Sequence, residues 1–142
     1  MTQKLMAYFN TNQGRIGSLS TANKDGKVDV AHFGTPQMID EKTIVMGIGQ
    51  NRTFANLQEN PSAAFMIMEP GEAPPEWHGV RLYLKMTTCQ TEGEILEGIR
   101  AKVAEIAGEG AAKMLHAAVI FEIEEIRPVA DFGQGWEHLI EG

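Results

Sequence analysis

One stretch of the chain, Glu94 to Ala107, keeps a helical period over a long run. Ile95, Leu96, Ile99, Val103 and Ile106 recur there at spacings of three and four, the pattern of an amphipathic helix. Most of the rest is punctuated as strands and tight turns. A doubly wound sheet needs a crossover helix for each parallel pair, and a chain with one long helix cannot supply them. Six or seven strands with hairpin signals point instead to a small antiparallel barrel with helical decorations.

The strands are read in order. Ile16–Ala22 and Lys27–Phe33 flank Asn23-Lys-Asp-Gly26, where Gly26 accepts the positive φ of a hairpin turn. Gln37–Ile39 and Thr43–Ile48 flank Asp40-Glu-Lys42 as a second hairpin. Ser62–Met68 is nearly all apolar, which predicts a strand buried on both faces. Val80–Met86 alternates with period two and can run on to Thr91, and Ala117–Ile126 alternates likewise. Short helices are expected over Thr2–Phe9, over Arg52–Glu59 (stopped by Asn60-Pro61) and over Ala111–His116. Glu69–Gly79 holds three prolines and reads as a loop, and the tail after Arg127 reads as irregular. The chain is expected to form one domain, residues 1–142.

Charge narrows the function. Twelve Lys and Arg stand against nineteen Asp and Glu, a net charge of −7, which disfavours general binding to a phosphate backbone. No nucleic-acid partner and no membrane partner are expected, since no apolar run reaches bilayer-spanning length. Cys89 is the single cysteine, so neither an internal disulfide nor a cysteine-based zinc site can form. The four histidines show no metal-ligand spacing, and no metal is expected. Met1–Asn12 is too polar for the apolar core of a signal peptide, so a cytoplasmic location is expected.

The chemistry concentrates in Thr43-Ile-Val-Met-Gly-Ile-Gly-Gln-Asn-Arg-Thr-Phe-Ala-Asn56. A strand ends in Gly47-x-Gly49, and a polar turn then leads into a helix. Free N–H groups and the dipole at a helix start favour an anion. Arg52 adds a planar positive fork, with Asn51 and Thr53 as neighbouring donors. Residues of these types can cradle a phosphate. They can equally form a plain strand-to-helix turn with an exposed Arg, and the residues alone leave both readings open. Gly47-x-Gly49 is no dinucleotide fingerprint, because Arg52 stands where the third Gly would be. No Ser-His-Asp or Cys-His arrangement can be argued from spacing, and no catalytic side chain is assigned.

Three segments carry a resemblance: Gly17-Ser-Leu-Ser-Thr-Ala with Asp25-Gly26; Val28-Asp-Val-Ala-His32; and Arg52-Thr-Phe-Ala-Asn-Leu-Gln-Glu-Asn-Pro61. Together with Thr43-Ile-Val-Met-Gly47 they make the chain resemble the pyridoxamine 5′-phosphate oxidase-like FMN-binding split-barrel family. The resemblance implies a mainly β, six-stranded antiparallel split barrel with flanking helices. It implies FMN as cofactor, with Arg52, Thr53 and Asn51 on the phosphate. The main chain of Val30, Ala31 and His32, and of Met46, Gly47, Ile48 and Gly49, would meet the ring edge. It also implies a homodimer with FMN between the subunits, and an FMN-dependent oxidoreductase. Its alternative is a flavin-binding electron-transfer or sensor protein without a substrate of its own.

Two further expectations follow. Leu82, Leu84, Val119 and Phe121 lie on one face of their strands and Tyr83, Ile120 and Ala118 on the other. A strand apolar on both faces needs a second surface, which a twofold partner would supply. In the tail, Trp136 is expected to cover the flavin edge, with Trp77 as the competing candidate.

Overall fold

The computed structural model describes residues 2–11, 16–33, 36–73, 78–130, 132, 133, 135 and 136. Its elements in chain order are α1 (Thr2–Thr11), β1 (Ile16–Ala22), β2 (Val28–His32), β3 (Gln37–Asp40) and β4 (Thr43–Ile48). They continue as α2 (Arg52–Glu59), β5 (Ser62–Glu69), β6 (His78–Gln90), α3 (Glu94–Ala107), α4 (Glu109–Lys113) and β7 (Ala117–Pro128). The strands form one antiparallel sheet in the order β2-β1-β5-β6-β7-β4-β3. The sheet is not closed, since β2 and β3 end it, and this is the split barrel that was expected. The seventh strand is the four-residue β3, held as the hairpin partner of β4.

Two register shifts between β6 and β7, at Tyr83/Leu84 and Met86/Thr88, break the longest ladder. Such irregularities bend a strand and raise its twist, which lets a long sheet wrap around a core. Leu19, Ile44, Met46, Phe65, Ile67, Leu82, Leu84, Val119 and Phe121 fill that core. Helix α1 joins it through Leu5, Tyr8 and Phe9, spaced three and four apart on one stripe. Asn10 also ties α1 to β3: its Nδ2 donates to the Met38 carbonyl at 2.9 Å, and its Oδ1 accepts from the Met38 N–H at 2.8 Å. The side chain thereby pairs with an edge strand as another strand would.

Several expectations are corrected. Strand β5 is not buried on both faces: Phe65 and Ile67 point into the core, while Met66 and Met68 are half-buried on the other side. Only one face of the sheet meets the core here. On the second face of β7, Ala118 is covered by this chain itself, while Ile120, like Tyr83 of β6, is half-buried. Val119 and Phe121 face the core, and Ala118 on the opposite face is also fully buried. Ala118 pairs with Gly47, against which Ile99 of α3 and Leu115 close in. The expected helix at Ala111–His116 is set earlier, as α4. The expected loop at Glu69–Gly79 is shortened by strand at both ends, and Trp77 lies outside the described residues. The tail begins later than expected, because β7 runs to Pro128. Trp136 is partly buried against the core cluster.

The β3–β4 turn yields a pH prediction. The Asp40 carboxyl accepts from the Lys42 N–H at 2.9 Å and from the Thr43 side chain, and these bonds hold its pKa below the ordinary carboxylate value. They favour the ionised form, so their stabilisation is present above the unfolded-state pKa. It is lost as the pH falls through the lowered folded-state pKa. An NMR titration should place the Asp40 midpoint below that of an Asp in an unfolded peptide. An unshifted midpoint would mean that the turn bonds do not persist in solution.

Candidate functional site

The site starts from how α2 is launched. Asn51 sits extended at φ −139° and ψ −170°, and its Oδ1 accepts from the Phe54 N–H at 3.0 Å. That is the geometry of a helix N-cap, and it leaves the Asn51 Nδ2 group as a donor. The Ala55 N–H closes the first helical bond to the Asn51 carbonyl at 3.0 Å. No acidic residue occupies the first turn of α2, so its positive end is uncompensated.

A second element meets this helix start. In the β1–β2 hairpin the Asn23 Oδ1 accepts from the N–H groups of Asp25 (2.9 Å) and Lys27 (3.0 Å), and Gly26 takes φ +83°. The turn holds the Lys27 backbone and starts β2 at Val28. Helix α2 docks on β1 through Asn56, whose Nδ2 donates to the Thr21 Oγ1 at 3.0 Å in a buried bond. Between hairpin and helix lies a cleft of about 220 Å³ lined by Asn23, Lys27, Val28, Arg52 and Asn56. Two cations therefore share one cleft whose lining holds no carboxylate. Arg52 is exposed and has no ion-pair partner among the described residues. The larger depression, about 500 Å³ near the β3–β4 turn, is lined by Asp40, Glu41 and Glu122 against one Lys42, a setting that disfavours an anion.

The expected residues divide by exposure. Arg52 and Asn51 are on the surface, whereas Thr53 is only 2% exposed, so its hydroxyl is not displayed as theirs are. Met46, Gly47 and Ile48 are buried, main chain included, and Gly49 is half-buried, so Gly49 is the part of this segment that the described chain displays. The absence of a side chain at Gly47 is explained within the chain. A Cβ would stand 2.9 Å from the Ile99 Cγ2 and 3.2 Å from Leu115, so glycine lets α3 approach β4. Gly49 is similarly close to the Met114 carbonyl, at 3.2 Å for an added Cβ.

On β2, Val30 and His32 are exposed and Ala31 is half-buried. His32 is set in place by its Nδ1–H, which donates to the Gly17 carbonyl at 2.9 Å. Strand β2 is one edge of the sheet and β4 lies near the other, so the two ring-edge segments are not neighbours in the ladder. Helix α2 links them, starting just past the end of β4 and reaching the cleft beside Val28.

Sequence reading missed Lys27 and Asn56. The available signal was the Asn23 to Gly26 turn, which aims the residue after it, but the distance to Arg52 is a tertiary fact. Among the described residues there is no group of three or more His, Cys, Asp or Glu able to hold a metal. No described helix is long and apolar enough to cross a membrane.

A family model described as pyridoxamine 5′-phosphate oxidase matches residues 1–130. The chain belongs to the pyridoxamine 5′-phosphate oxidase family. No curated protein matches it. Among solved structures, an FMN-binding protein from Syntrophomonas wolfei subsp. wolfei is similar with a TM-score of 0.79 and 25% identity, over 92% of this chain and 87% of that one. HupZ from Group A Streptococcus gives 0.71 at 18% identity, covering 91% and 94%. HutZ, the haem storage protein from Vibrio cholerae, gives 0.65 at 15% identity, covering 88% and 92%. At those two identities the likeness speaks for the fold alone.

Proposed function

We propose that this chain binds FMN and works as an FMN-dependent oxidoreductase, as a homodimer with the flavin between its subunits. The observation that carries the reading is the cleft where Arg52 and Lys27 face one space beside the start of α2, in a chain of net charge −7. Local positive charge on an acidic protein selects an anionic group. The fit is to a phosphate ester: a guanidinium fork, an ammonium, amide donors and helix N–H groups. Asn51, Arg52 and Thr53 would hold the phosphate, with Thr53 contributing from its buried position. The main chain at Val30–His32 and Met46–Gly49 would meet the ring.

When bound, FMN supplies one- and two-electron redox chemistry. The chain's part is to hold the phosphate, present main-chain donors and acceptors, and limit solvent access. No side chain at the site is assigned a proton-transfer role. The similarity to an FMN-binding protein at 25% identity supports the cofactor, and a cytoplasmic location belongs to the same reading.

The test is a titration of the purified chain with FMN and, separately, with riboflavin, followed by flavin absorbance and fluorescence. FMN should bind one per chain and far more tightly than riboflavin. Equal affinities would remove the phosphate site, and no binding of either would remove the flavin reading.

A further inference from the structure

Helix α3 faces β3 and β4 across a groove of about 350 Å³, which shares no lining residue with the Arg52–Lys27 cleft. Its walls are branched aliphatic side chains: Ile95, Ile99, Val103 and Ile106 from the helix, Ile39 and Val45 from the strands. Among the described residues no aromatic ring lines it. The barrel buries Leu96 and Val103 of α3, but Ile106 stays 74% exposed, and Ile39 across the groove 58%. An apolar concavity of this volume has the size of a small-ligand site.

Gly98 widens it. A glycine weakens a helix interior, so its place there needs a reason. At Gly47 the neighbouring helix supplies one, but a Cβ at Gly98 would meet nothing within 4 Å. Gly98 lines the groove, so the missing side chain leaves room inside it that no group of this chain takes up.

Charge and main-chain bonding select the occupant. Two charged residues stand at the groove, Glu94 and Lys102. Glu94 lies in the first turn of α3, where the helix dipole favours an acid. Lys102 lies in the helix interior and has no ion-pair partner among the described residues, in contrast to Arg100, which pairs with Glu97. The charge left to satisfy is therefore positive. A peptide strand does not fit, because the Met38 N–H and C=O of the edge strand β3 are both bonded to Asn10. Flexible aliphatic walls with one cation suit an alkyl chain with one anionic head.

We propose that this groove binds a free medium-chain aliphatic monocarboxylate, its head on Lys102 and its tail laid over Gly98 toward Ile95, between Ile99 and the strand residues Ile39 and Val45. Lys102 and Ile95 are seven positions apart, about 10 Å along the axis. An extended chain advances roughly 1.2 Å per bond, so about eight carbons span the distance. Glu94 stands just past the end of the tail and repels a second carboxylate there. The site thus takes a monocarboxylate in preference to a dicarboxylate of the same length.

The experiment follows amide chemical shifts of the full chain by NMR during titration with hexanoate, octanoate, decanoate, octanol and octanedioate. Octanoate should saturate and shift residues of α3, β3 and β4. Affinity should rise about tenfold from hexanoate to octanoate, as two more methylenes are buried, and level off by decanoate. Octanedioate should bind more weakly than octanoate, and Glu94→Gln should narrow that gap. Lys102→Gln should weaken octanoate about threefold to tenfold and leave octanol unchanged. Gly98→Leu fills the groove, so it should abolish binding while raising helix stability in circular dichroism, which separates a binding role from a folding one. Absence of saturable octanoate binding to the parent would overturn the site. So would a Gly98→Leu variant that binds octanoate as tightly, or a Lys102→Gln variant that weakens octanol as much as octanoate. Sedimentation of the parent and of Ile39→Asp tests the other occupant. An associated parent made monomeric by that change would place a second copy in the groove and overturn the carboxylate, whereas an unchanged mass supports a groove open to a small ligand.

Discussion

Replacing Arg52 with alanine should cost about tenfold to hundredfold in FMN affinity, the equivalent of roughly 1.5–3 kcal/mol for one charge-assisted contact. The fold should not change. Arg52 is exposed, holds no partner among the described residues, and lies in a helix stabilised elsewhere by the Asn51 cap and the Asn56–Thr21 bond. Riboflavin affinity should stay level, because the lost group is one that only a phosphate would meet. Arg52→Lys should recover part of the loss, keeping the charge without the planar fork. Isothermal titration of both ligands against parent and variants reads all of this at once. An alanine variant that binds FMN as tightly as the parent would make Arg52 an ordinary surface residue.

The limits of sequence reading here are physical. Period-two and period-3.6 patterns report which side of an element is apolar, and they located the strands and helices well. Gly26 was legible because its turn needs a positive φ, and φ +83° is what the chain adopts. Patterns do not report what covers an apolar side. Ala118 and Gly47 looked available to a ligand or a partner, and Ile99 and Leu115 from the same chain take that space. Ser62–Met68 looked buried on both faces, because methionine tolerates half-burial and a hydrophobic count cannot separate Met66 from Phe65. The candidate site divides the same way. Asn51 and Arg52 were local features of one turn. The approach of Lys27 depends on how α2 docks on β1 and β2, which no spacing along the chain encodes.

Phe65→Ala should be among the most destabilising single changes in the protein, at about 3–5 kcal/mol. Phe65 is 1% exposed and lies on β5 between β1 and β6. Its ring meets Phe9 of α1 edge-on, with centroids 5.5 Å apart and planes at 64°. It also fills the space that Gly17 leaves open, since a Cβ on Gly17 would stand 2.7 Å from the Phe65 Cζ. Truncation would remove apolar burial, one aromatic pair and the support under Gly17. A domain of this size is typically stable by about 5–15 kcal/mol, so the loss takes a large share of the total. The melting temperature should fall by roughly 6–20 °C, at about 2–4 °C per kcal/mol. Phe65→Leu should cost clearly less, because most of the volume remains. The damage should also reach β2. The Gly17 carbonyl accepts from the Phe33 N–H at 3.1 Å and from the His32 Nδ1–H at 2.9 Å, so loosening β1 there frees the end of the edge strand. Hydrogen exchange at Phe33 should therefore accelerate in the leucine variant, which stays folded, before the melting curve shows a large change. If Phe65→Ala melted within a few degrees of the parent, the barrel would draw its stability from elsewhere. The contact between α1 and β5 would then be incidental.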